Sequence, residues 1–137
     1  MSDSERYERG WETLTRVNGG SAARVIDGLR DVAPDLGRQV VEFAYGDSYS
    51  RPNLRPEQRQ LVTIGMLTAM GGCEPQLEVH LHVALNVGLT PDEIVEAIMH
   101  TAPYCGFPRA LNAIAVARRV FEKKQVSPTA ALPTQDL

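Results

Sequence analysis

Residues 61–70 limit the possible folds of this chain more than any other feature. They are apolar or small on every side of a helix, and Pro56 and Glu57 before them form a typical helix start. A helix without a polar side must be surrounded by other helices. Strict alternation of apolar and polar residues is missing throughout, whereas helical spacing recurs. The sequence therefore predicts an all-α fold, a compact bundle of about six to seven helices.

Proline, glycine and capping residues predict where helices begin and end. The strongest local signal is Thr90, which can cap a helix that Pro91 opens and in which Glu93 completes a capping box. Pro103 is expected to stop that helix at about Ala102. The other predicted helices span residues 7–17, 21–29 with a cap at Ser21, 34 through 44, 77 to 88 and 109–125, and the predicted connections are residues 46–54 and 104–107.

Length and composition indicate one domain. A chain of 137 residues, 43% of them apolar, can bury a sizeable core without disulfides or metals to hold it together. We expect a single all-helical domain over residues 1–125. Residues 126–137 are predicted to be a disordered tail, because they contain Pro, Thr, Ala and Gln without periodicity.

Charge and hydropathy argue against two classes of partner. The net charge is −3 and the basic residues form no face or long run, so nucleic acid is not an expected partner. The longest nearly uncharged run, residues 61–73, is too short and too rich in Thr and Gly to span a bilayer, and no basic and apolar leader precedes the first helix. The sequence predicts a soluble, cytoplasmic protein with no membrane partner.

One histidine occupies an unexpected position. On a helical projection His80 lies on an apolar face with Leu77 and Ala84, whereas His82 lies on the opposite, polar stripe. His80 is either a core histidine satisfied by its neighbours or a functional group with a perturbed pKa. Residues two apart on a helix point about 200° apart, so the two imidazoles cannot chelate one ion, and no metal site is expected.

The segment over residues 43–52 combines two tyrosines, a carboxylate and an arginine just ahead of the apolar helix. Arg51 could bind an anionic substrate with its bidentate guanidinium, and Asp47 could orient it or exchange protons. Alternatively, Asp47 and Arg51 form a structural pair that holds the loop in place. The residue spacing favours neither interpretation.

The two cysteines lie far apart in the sequence, without the paired spacing of a disulfide scaffold or a zinc ribbon. Cys73 precedes the helix that carries His80, and a helix N-terminus can lower a thiol pKa. Cys73 is therefore a redox candidate. The alternative, which applies more strongly to Cys105, is a small buried residue without chemistry.

Four motifs follow one another along the chain: Phe43-x-Tyr-Gly-Asp-x-Tyr-Ser-Arg-Pro-x-Leu54, Arg59-Gln-Leu-Val-Thr, Gln76-Leu-x-Val-His80-x3-Ala-Leu-Asn-x-Gly88-Leu-Thr-x-x-Glu-Ile-x-Glu96, and Tyr104-x-Gly-Phe-Pro-x-Ala-Leu-Asn112. Together they resemble the carboxymuconolactone decarboxylase family. Their order and spacing make the resemblance specific, and it covers about residues 34 to 120.

The resemblance implies an alkylhydroperoxidase D-like helical fold that assembles as a ring, commonly a trimer of dimers, so we expect a homohexamer. The family includes cofactor-free decarboxylases of γ-carboxymuconolactone and the alkylhydroperoxidase D type of thiol peroxidase. His80 matches the family histidine. The peroxidase branch carries Cys-x-x-Cys ending four residues before it, and here Cys73 is followed by Gln76 instead of a second cysteine. The loop before residue 56 looks like that of the decarboxylase branch.

The resemblance therefore implies a lyase without a cofactor that decarboxylates a carboxylated unsaturated lactone or a related small anionic acid, as in aromatic compound degradation. Loss of CO2 sends electrons into a conjugated carbonyl, and the dienolate must gain a proton at carbon. The expected roles are proton donation by His80, anion binding by Arg51 with Arg59 and Tyr49 as further substrate-binding candidates, and orientation by Asp47 and Tyr104. The alternatives are a hydroperoxide reductase that uses Cys73 with His80, and a ligand-binding member without catalysis.

Overall fold

The computed structural model describes residues 3–19 and 22–129. Over those ranges the protein is all-α, as predicted, and contains no strand. No helix in them is both long enough and apolar enough to cross a lipid bilayer. The elements in chain order are α1 (Asp3–Asn18), α2 (Ala22–Asp27), α3 (Pro34–Gln39), a π-helix (Val40–Tyr49), α4 (Pro56–Met70), α5 (Glu74–Asn86), α6 (Pro91–Cys105) and α7 (Phe107–Lys124).

The chain forms two compact units, Met1–Arg59 and Gln60–Leu137. The first contains α1 to the π-helix and the start of α4, and the second contains the rest of α4 and α5 to α7. The single domain expected over residues 1–125 stays a prediction.

The first unit depends on a close crossing of α1 and the π-helix. A Cβ atom at Gly10 would overlap the carbonyl oxygen of Val41, and one at Gly46 would lie 2.8 Å from the carbonyl oxygen of Arg6. Only glycine allows two backbones to approach so closely. The core beside this crossing consists of Leu14, Ile26, Val41 and Tyr45.

The π-helix shows that the predicted loop over residues 46–54 was partly wrong. Helical structure continues to Tyr49, and residues 50–55 connect it to α4. The sequence reasoning took Gly46 as a loop residue, whereas its missing side chain serves the contact between two helices. A π-helix is rare and often marks a functional segment.

The second unit has an apolar core shared by four helices. Its fully buried side chains include Ile64 of α4, Leu81 of α5, Ile98 of α6 and Val120 of α7. The capping box predicted at the start of α6 is confirmed. The N–H of Glu93 donates to the hydroxyl of Thr90 at 3.1 Å, and the N–H of Thr90 donates to the Glu93 carboxylate at 3.0 Å.

The predicted end of α6 at Ala102 was wrong, because the helix continues through Pro103 to Cys105. Proline removes one helical hydrogen bond, but the next turn still closes, since the N–H of Gly106 donates to the carbonyl of Ala102 at 3.0 Å. The helix ends at Gly106, whose φ of 91° is strained for any residue with a side chain. The predicted connection over residues 104–107 is therefore much shorter.

Other boundaries differ less. α1 begins at Asp3, earlier than predicted. The predicted cap Ser21 and residues 130–137 of the predicted tail lie outside the described residues. Residues 126–129 are not helical, and both the N–H and the hydroxyl of Thr129 donate to the carboxylate of Asp92, at 2.9 and 3.0 Å. The beginning of the predicted tail is thus bonded to the start of α6.

α4 is less enclosed than its sequence predicts. Its inner stripe is buried and consists of Gln60, Ile64 and Thr68. Its outer stripe consists of Val62, Met66 and Met70, which are 52%, 53% and 64% exposed. An exposed apolar stripe is typical of a surface that contacts another chain.

Candidate functional site

His80 is half-buried on α5, beside Leu77, Leu81 and Ala84, which are buried. Burial disfavours the charged imidazolium and lowers the pKa of His80 below its ordinary value of 6.5. The imidazole is therefore neutral at pH 7. This agrees with the prediction that His80 lies on an apolar face.

Gln60 is the hydrogen-bond partner of His80. Oε1 of Gln60 lies 3.1 Å from Nδ1 of His80, and the glutamine is fully buried on α4. An amide oxygen only accepts hydrogen bonds, so in this arrangement Nδ1 of the neutral ring carries the proton and Nε2 keeps its lone pair. The bond therefore sets both the orientation and the tautomer of the imidazole.

The sequence reasoning missed Gln60. Gln60 precedes Ile64 by one helical turn and Thr68 by two, which places it on the stripe of α4 that faces the core. A glutamine is seldom fully buried, and when it is, its amide must find partners. Such a residue could have been matched with the one histidine expected on an apolar face.

Asp47 is bound by two arginines of α1. Arg6 donates through Nη2 to Oδ2 at 2.6 Å and through Nε to Oδ1 at 3.2 Å, and Arg9 donates through Nη2 to Oδ1 at 3.1 Å. The hydrogen bond from Arg6 is the main reason why the pKa of the Asp47 carboxyl is lowered. The alternative of an Asp47–Arg51 pair was wrong, because the carboxylate joins the π-helix to α1 instead.

Arg51 has an exposed side chain in the connection before α4. Its guanidinium forms no hydrogen bond or ion pair with the residues that the structure describes, while its carbonyl accepts a hydrogen bond from Nη2 of Arg59 at 2.9 Å. The Arg59 guanidinium lies 5.7 Å from the centre of the Tyr49 ring, and the Tyr49 hydroxyl donates to the carbonyl of Pro56 at 3.1 Å. Arg59 and Tyr49 thus hold the segment that carries Arg51.

Tyr104 and Cys73 were also predicted site residues. Tyr104 is 83% exposed on α6, and its ring meets that of His100 edge to face at 5.8 Å. Cys73 is half-buried just before α5, and its thiol donates to the carbonyl of Gly71 at 3.4 Å. Neither contact involves His80.

The structure therefore groups the predicted residues within each unit. In the first unit Tyr49, Arg51 and Arg59 lie together, and Asp47 is held by α1. In the second unit His80 lies with Gln60. Within the described ranges no group of three or more His, Cys, Asp or Glu side chains is arranged to hold a metal ion.

The chain is similar to known decarboxylases. The model of the carboxymuconolactone decarboxylase family matches residues 34–119. A 4-carboxymuconolactone decarboxylase of Acinetobacter baylyi is 37% identical over 129 residues, which cover 93% of this chain and 96% of the relative. A nitrosuccinic acid decarboxylase of Metarhizium robertsii is 37% identical over 100 residues, which cover 69% of this chain and 68% of the relative. These relatives support the prediction that the protein is a decarboxylase. The chain belongs to the carboxymuconolactone decarboxylase family.

Proposed function

We propose that the protein decarboxylates a carboxylated unsaturated lactone of the γ-carboxymuconolactone type, or a related small acid, without a cofactor. The similarity to a 4-carboxymuconolactone decarboxylase over nearly the whole chain supports the lactone, and the second decarboxylase supports a related acid. The structural observation that carries the proposal is the Gln60–His80 pair. It presents one titratable group, with a defined tautomer, in apolar surroundings.

The reaction needs a cation and a proton donor. The bond between the carboxylate carbon and the ring carbon breaks, CO2 leaves, and the electron pair passes into the conjugated lactone carbonyl. The resulting dienolate then gains a proton at carbon. A cationic group lowers the barrier by holding the anion, and a general acid supplies the proton.

His80 is the proposed general acid. Its imidazole is neutral without substrate, because burial lowers its pKa. An anionic substrate beside the ring favours the imidazolium, since a nearby negative charge raises the pKa of a histidine. Gln60 holds the Nδ1 proton, so Nε2 takes a proton from water and gives it to the dienolate.

Arg51 is the proposed residue that binds the substrate anion, because its guanidinium is exposed and not engaged by the described residues. Arg59 and Tyr49 act as its support. Asp47 fixes the π-helix just before this segment, and its lowered pKa fits a permanent anion rather than a group that exchanges protons. Tyr104, exposed on α6, stays a proposed orienting residue.

Product formation from 4-carboxymuconolactone, followed by NMR, tests the proposal, with nitrosuccinate as the alternative substrate. His80→Gln keeps the polarity and approximate size but removes the titrating proton, so kcat is expected to fall about 10²-fold with folding unchanged. His82→Gln, two residues further along α5, is the matched control and should keep its activity.

A second pair of variants tests anion binding. Arg51→Ala should raise KM, whereas Arg55→Ala in the same segment should not, because Nε of Arg55 already donates to the Glu57 carboxylate at 2.7 Å. Near-full activity in His80→Gln combined with loss of activity in Arg51→Ala would show that the proton comes from elsewhere. Binding of both acids without turnover by the wild type would favour the ligand-binding alternative.

A further inference from the structure

A polar cavity lies in the second unit, at the end of α4 and the starts of α5 and α7. Its volume is about 90 Å³. Neither Gln60 nor His80 lines the cavity, although Leu77, one turn before His80 on α5, does. Its polar lining comes from Thr68, Glu74, Arg109 and Asn112 and from the backbone of Gly71 and Gly72.

Thr68 points to a missing partner. It is 2% exposed, and its hydroxyl oxygen has no hydrogen-bond partner in the part of the chain that the structure describes. Nearly all buried hydroxyl groups in proteins are hydrogen-bonded, because an unsatisfied one is costly. Since Thr68 lines the cavity, a molecule bound there would supply the missing partner.

Two opposite charges line the same cavity without pairing. The Arg109 guanidinium lies against Gly71, where a Cβ atom would come within 2.8 Å of Nη1. Among the described residues, neither Arg109 nor Glu74 forms an ion pair or a side-chain hydrogen bond. Arg109 needs acceptors and Glu74 needs a donor, so a ligand with both would satisfy them together.

We propose that this cavity binds a small oxyanion that carries its own hydroxyl group, of the size of hydrogencarbonate or hydrogenphosphate. The charged oxygens accept hydrogen bonds from Arg109 and Asn112, close to the N-terminus of α5, which favours an anion. The ligand hydroxyl donates a hydrogen bond to the Glu74 carboxylate, and the Thr68 hydroxyl forms a hydrogen bond with a remaining oxygen of the ligand.

The size of the cavity limits the ligand. Its volume of about 90 Å³ is well below the roughly 300–1,000 Å³ of pockets for drug-sized ligands, which favours an ion of a few atoms over a lactone acid. The proposal goes beyond the decarboxylase reaction and does not depend on it. Its readout is binding rather than turnover, so the two can fail separately.

Isothermal titration calorimetry of the full chain tests the site, with hydrogencarbonate, hydrogenphosphate and acetate as probes at one fixed pH. We expect hydrogencarbonate, hydrogenphosphate or both to bind with one ion per chain. The anion that binds more tightly is then the ligand of the site. Acetate has the same charge type but no hydroxyl, so it should bind at least about tenfold more weakly. Absence of binding by both hydroxyl-bearing anions, or equal binding of acetate, would overturn the proposal.

Two variants and a control locate the binding. Thr68→Val keeps the shape and removes the hydroxyl, and Arg109→Gln removes the charge, so each should weaken binding about tenfold or more. Thr68→Val should also raise Tm without the anion, which shows that the variant folds. Arg118→Gln, another exposed arginine of α7, does not line the cavity and should bind like the wild type. Unchanged affinity in Arg109→Gln and Thr68→Val would place any binding elsewhere.

Discussion

Replacing Gln60 by glutamate should raise the pKa of His80, which burial now holds below 6.5. The substitution places a carboxylate where the amide oxygen now lies, 3.1 Å from Nδ1, with almost no change in shape. In the wild type, burial disfavours the imidazolium, and no negative group at this contact offsets that effect. In the variant an opposite charge touches the ring and favours the imidazolium.

The size of the effect follows from the distance. Two unit charges about 4 Å apart interact by about 4 kcal/mol at an effective dielectric constant of about 20. That energy corresponds to about 3 pKa units. Solvent on the half-buried ring and the cost of burying the new carboxylate reduce the effect, so we expect a rise of about 1–2 units in the pKa of His80.

The same change should oppose the pH dependence of stability that His80 contributes. In the wild type the folded pKa is lowered, so the unfolded chain binds more protons between that pKa and 6.5, and stability rises with pH in this window. In Gln60→Glu the folded pKa is raised, so this window narrows and the rise of stability with pH becomes smaller. If the new folded pKa lies above 6.5, the contribution is fully present below 6.5 and is lost as the pH rises through the new pKa.

NMR titration of the imidazole protons measures the pKa directly, and urea unfolding at several pH values measures the slope. The chain has three histidines, so loss of one signal in His80→Gln assigns the resonance. Gln58→Glu adds the same charge to α4 at a side chain that accepts a hydrogen bond from the N–H of Arg55 at 2.9 Å, and serves as the control. If the pKa of His80 is the same in Gln60→Glu and Gln58→Glu, the pairing of Gln60 with His80 is refuted.

Three further predictions concern packing, redox chemistry and assembly. Gly10→Ala should lower the free energy of unfolding by about 1–3 kcal/mol in urea titration, because the added methyl group overlaps a backbone carbonyl. A methyl group added at Gly65 meets no atom within 4 Å, so Gly65→Ala should raise the free energy of unfolding by up to about 1 kcal/mol. Mass spectrometry after mild peroxide treatment should find no disulfide between Cys73 and Cys105. Rapid formation of this disulfide, together with peroxide turnover supported by a dithiol reductant, would favour the peroxidase alternative. Light scattering should show a hexamer for the wild type. Met66→Glu should dissociate it, because the substitution places a charge in the exposed apolar stripe of α4. A monomeric wild type at micromolar concentration would contradict this prediction.

Several features of the protein follow from sequence alone, because their causes are local. The capping box of Thr90 and Glu93 involves residues three apart, and the start of α4 at Pro56 needs one proline at the first turn. The apolar face of His80 follows from helical periodicity within α5. The order of the motifs along the chain likewise identified the family before any contact between helices was known.

Only the tertiary structure decided the contacts that join distant segments. Gln60 meets His80 across 20 residues of sequence, and Arg6 meets Asp47 across 41, which ruled out the alternative of an Asp47–Arg51 pair. Local rules reach about one helical turn, whereas these contacts depend on which faces of two helices pack together. For the same reason Gly46 looked like a loop residue until the crossing of α1 and the π-helix showed that its missing side chain is required by packing.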